Sequence, residues 1–280
     1  MGQQRRRKWA DIPAGQDSPL NAAVTRRDDS VIEMVEAAVR HGEVMLAFQP
    51  VVAAGQGGRI AFHEGLIRVL DSTGRIIPAR DFIDSVENLE TGRVIDCLAL
   101  EKGLRTLADH PGLRLSVNMS ARSIGYARWM RILRRGLDGD PTVGERLILE
   151  ITESSAMLVP ELVTGFMKDL QRRGICFALD DFGAGHTSFR YLRDFYFDIL
   201  KIDGQFIRGI AADPDNQVLT GALMAIARQF DMLCIAESVE RADDAAHLTN
   251  AGIDCMQGYY FAAPTVNPDW MSDPARQVRA

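Results

Sequence analysis

The hydrophobic positions of the chain change their spacing along its length, and this change predicts one helix followed by a series of strands. From residue 30 to residue 41 the apolar side chains recur every three or four positions, which is typical of an amphipathic helix. Ser30 is placed to cap this helix and Gly42 to end it. Eight short apolar runs of strand length follow. These runs span residues 44–52, 60–67, 114–119, 147–152, 175–180, 198–202, 233–237 and 255–261.

Most of the segments between the apolar runs are long and helical in pattern, as in residues 81–109, 155–173 and 216–230. Helical crossovers of this kind join parallel strands, and eight such strands suit a closed barrel. The first gap differs, because residues 53–59 are glycine-rich and too few for a parallel crossover. We therefore predict an α/β fold, a modified TIM (β/α)8 barrel with the first strand antiparallel.

The domain organisation follows from where the periodicity begins. Residues 1–28 are mostly polar and carry no clear period, which predicts a flexible N-terminal leader. The basic cluster at residues 5–8 is interpreted as part of that solvated tail. Residues 29–280 contain no repeat and no interdomain linker, and their number suits a barrel of about 250 residues. We interpret them as one barrel domain.

Composition and charge exclude several classes of protein. The chain is 46% hydrophobic and 25% charged, which is ordinary for a globular protein with a buried core. Its net charge of −6 argues against a nucleic-acid polymer as partner. It has no apolar run long enough for a transmembrane segment, and its four cysteines form no CxxC pair. We expect a cytoplasmic protein with buried thiols.

Polar side chains stand at or near the ends of seven of the eight runs. In a parallel barrel the C-terminal strand ends converge on one mouth. The residues are Glu64, Asn118, Glu150, Asp180, Asp181, Lys201, Glu237, Glu240 and Gln257. Acids this close repel one another unless a cation is bound. Oxygen ligands without His or Cys favour Mg²⁺ or Mn²⁺, and a pair of such ions would clamp a phosphodiester and activate a water.

Each acid also has a purely structural interpretation, because an acid after a strand often only caps the next helix. For Glu153 or Glu240 taken alone, that is the better interpretation. Helix capping explains the adjacent Asp180 and Asp181 less well. A loop with two glycines follows them, which permits close approach of the backbone to a ligand. Lys201 lies inside an apolar stretch and would be costly to bury unless it faced an anion.

These segments resemble the EAL domain family over roughly residues 30–265. The motifs that carry the resemblance are Phe48-Gln49-Pro50, Glu64-Gly65-Leu66-Ile67-Arg68, Ser116-Val117-Asn118-Met119-Ser120, Glu150-Ile151-Thr152-Glu153-Ser154, Leu179-Asp180-Asp181-Phe182-Gly183-Ala184-Gly185, Leu200-Lys201-Ile202-Asp203, Ala236-Glu237-Ser238-Val239-Glu240 and Gln257-Gly258-Tyr259. Members of the family hydrolyse c-di-GMP to linear pGpG with Mg²⁺ or Mn²⁺. Their barrel also has a reversed first strand.

The resemblance implies a role for each matched residue. The metal ligands for two ions would be Glu64, Asn118, Glu150, Asp180, Asp181 and Glu237. Lys201 would lie beside the activated water and act in catalysis with Glu237. Substrate would be bound or positioned by Gln49, Arg68, Glu240 and Gln257. Glu153 would brace the glycine loop after Asp181, which the family uses in metal binding and dimer contacts. The resemblance further implies a homodimer, and the lack of a sensor domain suggests a regulatory protein partner in trans.

The chain departs from the family pattern at positions that are not proposed ligands. Gly65 replaces the alanine of the family's name, Val69 a usual tryptophan, and Ser238 a glycine. Residues 195–197, Phe-Tyr-Phe, replace Leu-Pro-Val. His186 replaces an aromatic residue in the glycine loop, where it would either alter dimer coupling or rate or be a plain surface histidine.

The leading hypothesis is an active, two-metal c-di-GMP phosphodiesterase that lowers this second messenger in bacterial signalling. One alternative is a catalytically silent c-di-GMP receptor or scaffold, because a fold does not determine a function. Another is a metal-dependent barrel enzyme that acts on a different phosphoester. The joint presence of Gln49, Arg68 and Gln257 counts against that last alternative.

Overall fold

A computed structural model describes residues 19–184 and 192–272 of the chain, and side chains within residues 27–184 and 192–271. The strands are β1 (Val44–Ala53), β2 (Ile60–Leu70), β3 (Ile76–Pro78), β4 (Leu115–Asn118), β5 (Leu147–Thr152), β6 (Cys176–Phe182), β7 (Ile199–Ile202), β8 (Leu233–Ala236) and β9 (Cys255–Met256). The helices are α1 (Pro19–His41), α2 (Ile83–Val86), α3 (Glu90–Asp109), α4 (Ala127–Gly139), α5 (Glu153–Ala156), α6 (Pro160–Gln171), α7 (Gly204–Ile207), α8 (Pro214–Gln229), α9 (Ala242–Ala251) and α10 (Asp269–Ser272). Among these helices none is long and apolar enough to cross a membrane.

Eight of the described strands close a barrel. They follow the order β1-β9-β8-β7-β6-β5-β4-β2, and a pairing of β1 with β2 completes the ring. Neighbouring strands from β2 round to β9 are parallel, whereas β1 is antiparallel to both β2 and β9. The predicted barrel with its reversed first strand is therefore confirmed. The short third strand lies outside the ring, antiparallel to the end of β2.

The alternation of side chains along the strands determines what lines the interior of the barrel. Residues that point inward form a small apolar cluster, which includes Val51, Phe62, Ile148, Ala178, Ile199, Ile235 and Cys255. Because strand side chains alternate between faces, the residue two positions further on points inward as well. On the parallel strands, or directly after them, those next residues are Glu64, Glu150, Asp180, Lys201, Glu237 and Gln257. On the reversed β1 the equivalent residue is Gln49, two positions before Val51.

The outward faces of the same strands form the main core with the helices. Leu149, Phe177 and Leu200 have no exposed surface, and they belong to one cluster with Trp129 of α4 and Val163 of α6. Each buried side chain of this size stabilises the fold by about 1.5–3 kcal/mol. This packing holds the strands rigidly, so that the polar ends of their inner faces keep a defined geometry.

The first helix begins earlier than its hydrophobic pattern predicted. It starts at Pro19 instead of Ser30, so Ser30 lies inside the helix and does not cap it. Residues 19–28, which were predicted to belong to the flexible leader, are thus helical, while residues 1–18 lie outside the described range. The segment contains good helix formers with a proline at the start, but few apolar positions that a period could reveal. Gly42 follows the last helical turn with φ +74°, as predicted.

Two strand predictions need correction. The last apolar run was expected to be a strand to residue 261, but β9 ends at Met256. After it, the backbone of Val239 approaches Gly258 so closely that an added Cβ would lie 2.1 Å from the Val239 carbonyl oxygen, and the chain turns there. The three-residue β3 was not predicted, because so short a segment shows no alternation.

The helix α10 packs against strands β1 and β2 through an aromatic side chain. The ring of Trp270 lies edge-on to Phe48, His63 and His110, with centroid distances of 5.0–5.5 Å. Its Nε1 donates a hydrogen bond of 3.2 Å to Nε2 of His63. That nitrogen must be unprotonated to accept, and burial lowers the pKa of His63 to about 4.

His63 is therefore expected to make the fold sensitive to acid. Its folded pKa of about 4 lies below the ordinary value of 6.5, so the unfolded chain binds the extra proton as pH falls from 6.5 towards 4. Stability should be lost across that window, approaching about tenfold in the unfolding equilibrium per pH unit. Denaturant unfolding at several pH values measures it. His63→Gln keeps an acceptor without titrating, and an equally steep loss in that variant would contradict the assignment.

Candidate functional site

Lys201 lies at the mouth of the barrel, where four carboxylates surround it. Its Nζ lies 2.7 Å from Glu150 Oε2, 2.7 Å from Glu237 Oε1, 3.0 Å from Asp180 Oδ1 and 3.5 Å from Glu64 Oε2. The lysine side chain is 1% exposed and that of Glu150 is not exposed at all. These groups come from β2, β5, β6 and β7 and the residue after β8, so convergence of strand ends creates the cluster.

Glu64 is held in place by two amide side chains. Asn118 Nδ2 donates to Glu64 Oε1 at 2.7 Å, and Gln257 Nε2 donates to Glu64 Oε2 at 2.6 Å. Gln257 Nε2 also donates to Gln49 Oε1 at 3.1 Å, while Gln49 Nε2 donates to the carbonyl of Ala262 at 3.0 Å. A chain of buried and partly buried hydrogen bonds thus orients the Glu64 carboxylate.

Asp180, Asp181 and Glu237 form a compact acidic group. Each offers an oxygen, and the three ligand atoms lie within 4.8 Å of one another. Adjacent strand residues normally point to opposite faces, but the pairing of β6 with β7 is irregular between Leu179 and Phe182. Asp181 has φ +55°, a left-handed conformation that is uncommon for a residue other than glycine. This irregularity lets both acids reach the same point.

The electrostatics of the cluster reflect one buried cation among several acids. Burial and the charge of Glu64 raise the pKa of Glu150 to about 8, and desolvation together with Asp180 raises the pKa of Asp181 to about 6. Burial and Asp180 likewise hold the pKa of Glu237 well above its usual value.

Two members of the cluster are held charged instead. Burial opposes the charge of Lys201, but the surrounding carboxylates hold its pKa well above the usual value. Burial also opposes the charge of Glu64, yet Lys201 and the two amide hydrogen bonds leave its pKa lowered. The cluster therefore carries more acid groups than one lysine can compensate.

Glu153 lies apart from this cluster. Its Oε2 accepts a hydrogen bond of 3.0 Å from the backbone nitrogen of Gly183, the second residue after Asp181. It begins α5 directly after β5, and its side chain is buried. The contact braces the start of the glycine loop, whereas His186 lies outside the described residues.

A cleft of about 550 Å³ opens beside the carboxylates. Four of the residues assigned to substrate by resemblance line it, namely Gln49, Arg68, Glu240 and Gln257. Arg68 Nη1 donates to the carbonyl of Ile67 at 2.9 Å, and Glu240 Oε1 lies 3.7 Å from Arg208 Nε. The structure therefore brings the predicted site residues together in the cleft and in the acidic cluster beside it. The exception is Glu153, which contacts the loop after Asp181.

Several residues that line the cleft were not predicted as site residues from the sequence, among them two arginines and a tyrosine. Arg80, Arg208 and Tyr259 line it, and Arg80 Nη1 donates to the Tyr259 hydroxyl at 3.2 Å. Arg80 and Arg208 come from a turn after β3 and from the end of α7, so neither stands at the end of an apolar run. Tyr259 is two residues after Gln257, and this nearness to a predicted substrate residue was the one sequence signal that pointed to it.

The donor set fits a hard divalent cation. Every candidate ligand is a carboxylate or amide oxygen, and Oε1 of Glu150 is buried without a hydrogen-bond partner. An unpaired carboxylate oxygen is costly to bury, and a cation would satisfy it. Asp180, Asp181 and Glu237 could hold one such ion together. An acidic cation site beside an arginine-bearing cleft suits an anionic substrate.

Comparison with known proteins agrees with this geometry. A model of the EAL domain matches residues 32–264. The cyclic di-GMP phosphodiesterase PdeF of Escherichia coli is 29% identical over 239 residues, which are 84% of this chain and 32% of that protein. The signaling protein YkoW of Bacillus subtilis is 31% identical over 239 residues, 83% of this chain and 30% of that protein. The chain thus spans about a third of the length of these relatives.

Solved structures show the same fold. The FimX EAL domain from Pseudomonas aeruginosa, bound to c-di-GMP, superposes with a TM-score of 0.76 at 25% identity and covers 85% of this chain and 97% of its own. The PaMucR phosphodiesterase in complex with c-di-GMP gives a TM-score of 0.74 at 26% identity, with 87% and 100% covered. With its family match across most of its length and its reversed first strand, this chain belongs to the EAL domain family.

Proposed function

We propose that this chain is an active phosphodiesterase that hydrolyses c-di-GMP to linear pGpG and so lowers the second messenger in the bacterial cytoplasm. The observation that carries the proposal is the group of four carboxylates around Lys201, two of which, Glu64 and Glu237, also line a cleft of about 550 Å³. Relatives named as c-di-GMP phosphodiesterases and similar structures that bind c-di-GMP support the choice of substrate. The four cysteines are free thiols, as a reducing compartment permits.

Two divalent ions, Mg²⁺ or Mn²⁺, are the cofactors we propose. When bound, they would supply a lowered water pKa and electrostatic stabilisation of the phosphoryl oxygens. Asp180, Asp181 and Glu237 would hold one ion, and the group of Glu64, Asn118 and Glu150 would contribute to the other. Two observations support this assignment: Oε1 of Glu150 is buried without a hydrogen-bond partner, and four carboxylates surround one lysine.

The protein side chains orient the reactants. Lys201 carries a buried positive charge where the phosphodiester would approach, and so offsets the negative charge of the transition state. Glu237 lies 2.7 Å from Lys201, and we propose that it shares in catalysis as well as in binding metal. Gln49 and Gln257 keep Glu64 aimed inward, and Arg68 and Glu240 offer a cation and an acceptor to the dinucleotide. Hydrolysis adds one water and breaks one P–O3′ bond, which leaves a 5′-phosphate on pGpG.

The decisive experiment is incubation of the protein with c-di-GMP and Mn²⁺ in H₂¹⁸O, followed by chromatography and mass spectrometry. We expect pGpG with one ¹⁸O in its terminal phosphate. A catalytically silent receptor would bind c-di-GMP tightly and release no pGpG, and that outcome would refute the proposed enzyme. Cleavage of a simple phosphodiester at a similar kcat/KM would instead favour an enzyme for another phosphoester.

We further propose a homodimer that responds to a regulatory protein partner in trans. Leu158, Val159 and Leu162 are 41–56% exposed around the start of α6, next to the α5 turn that contains Glu153. Such a group of exposed aliphatic side chains suits a protein contact. Through Glu153, a contact there would reach the loop after Asp181. Light scattering of the purified protein tests the dimer.

The affinity for Mn²⁺ is expected to fall as the pH falls from 8 to 6. Glu150, with a pKa raised to about 8, and Asp181, with one raised to about 6, must lose their protons when a cation binds. Protons therefore compete with the ion, and each proton released changes the affinity about tenfold per pH unit. Calorimetry at pH 6, 7 and 8 measures the effect. Glu150→Gln removes one of these protons and should flatten the profile, and an unchanged slope in that variant would contradict the assignment.

A further inference from the structure

Ser238 has a strained backbone at the edge of the site. Its φ of +56° lies in the left-handed region, where a residue other than glycine is uncommon. It directly follows Glu237 and lines the cleft. Backbone strain of this kind persists where the surroundings over-determine the conformation, and it concentrates at functional sites. In this conformation Ser238 lies beside Gly204 and Arg208.

Ser238 packs against a position that has no side chain. A Cβ added to Gly204, the first residue of α7, would lie 2.4 Å from Ser238 Oγ and 2.6 Å from Ser238 Cβ. Ser238 fits only because residue 204 is glycine, so the two positions are sterically coupled. The Ser238 side chain therefore occupies the space that a side chain at residue 204 would need.

The Ser238 hydroxyl also accepts a hydrogen bond from an arginine. Arg208 follows Gly204 by four residues at the end of α7, and its Nη2 donates a hydrogen bond of 3.0 Å to Ser238 Oγ. Arg208 Nε lies 3.7 Å from Oε1 of Glu240. The arginine side chain is still 58% exposed, and it lines the same cleft as Glu240. One end of the guanidinium is thus anchored while the rest faces the space that a ligand would enter.

We propose that Arg208, positioned by Ser238 and Gly204, is a further substrate-binding residue, and that the Arg208–Glu240 pair selects guanine. The proposal rests on the c-di-GMP substrate proposed above. A guanine presents the O6 and N7 acceptors to an arginine, and its N1–H and N2–H donors to a carboxylate. Adenine has a donor in place of O6 and an acceptor at N1. A neighbouring arginine and glutamate therefore match guanine and mismatch adenine.

The experiment compares binding of c-di-GMP and c-di-AMP in EDTA, where metal-dependent turnover cannot consume ligand. We expect the parent protein to prefer c-di-GMP. Arg208→Ala should weaken c-di-GMP binding by at least about tenfold, as loss of a bidentate base contact does, and leave c-di-AMP binding unchanged. Under turnover with Mn²⁺ the same variant should raise KM more than it lowers kcat.

Positioning by Ser238 has its own test. Ser238→Ala and Ser238→Gly both remove the hydroxyl and should lower the preference for c-di-GMP in the same direction as Arg208→Ala. In the Arg208→Ala background neither should have a further effect. Gly204→Ala should displace Ser238 and reduce the preference, whereas adding it to Ser238→Gly should cost little more. Arg105→Ala, which removes an arginine that is 85% exposed on α3, is the control and should change nothing.

The outcomes separate this inference from the proposed function. If the parent binds and cleaves c-di-GMP but Arg208→Ala keeps the full preference, the guanine role is overturned and the enzyme stands. Equal weakening of both dinucleotides by Arg208→Ala, with the thermal melting temperature unchanged, would also overturn it, because the contact would then be to phosphate. A parent protein that binds neither dinucleotide would overturn both.

Discussion

Lys201→Met is expected to destabilise the metal-free protein by at least about 3 kcal/mol at pH 8, which is typical for breaking a buried ion pair from one side. The lysine compensates four carboxylates within 3.5 Å, and methionine fills a similar volume without the charge. The acids left behind should have raised pKa values in the folded state. Their protonation then stabilises the variant at low pH, and this stability is lost as pH rises.

The difference between Lys201→Met and the parent should therefore shrink from pH 8 to pH 5.5. Denaturant unfolding in EDTA measures it, and added Mn²⁺ should recover part of the lost stability by replacing the missing positive charge. Lys168→Met, at an exposed position on α6, is the control and should have almost no effect. A Lys201→Met protein as stable as the parent at pH 8 would show that the cluster does not need its cation.

Glu64→Ala is expected to lower kcat/KM for c-di-GMP by about 10³-fold or more, equivalent to about 4 kcal/mol of transition-state stabilisation. The change removes a proposed metal ligand that is 4% exposed. It also removes the carboxylate that accepts hydrogen bonds from the side-chain amides of Asn118 and Gln257. The Mn²⁺ affinity should fall with the rate, because a ligand and its orienting partners are lost together.

Rates of pGpG formation, a Mn²⁺ titration and circular dichroism distinguish this effect from misfolding. Glu64→Gln keeps the volume of the side chain but places an amide among hydrogen-bond donors and Lys201, so it should be impaired almost as strongly. Glu101→Ala, at an exposed position of α3, serves as the control. Undiminished cleavage by Glu64→Ala would remove this residue, and the cluster it belongs to, from the reaction.

The strand periodicity of the sequence located much of the site. Ile148 and Glu150, or Ile199 and Lys201, are two residues apart, so each pair shares the inner face of its strand. A barrel gathers those inner faces at one mouth, and the short loop between β1 and β2 requires an antiparallel hairpin. Both conclusions depend on local spacing, which a single sequence displays directly.

Other features depend on contacts between distant segments. Local alternation would send Asp180 and Asp181 to opposite faces, and the irregular pairing of β6 with β7 brings them together. The end of β9 at Met256 likewise goes with the close approach of Val239 to Gly258, which no periodic pattern records.

The barrel, its reversed strand and the oxygen-rich character of its mouth therefore follow from spacing along the chain alone. Side-chain alternation and loop length are local properties that leave few alternatives. Two features become visible only in the folded chain: Lys201 lies within 3.5 Å of four acids, and Gly204 leaves space for Ser238, which accepts a hydrogen bond from Arg208. Those contacts join residues far apart in the chain or on different elements, and the packing of the closed barrel sets their distances.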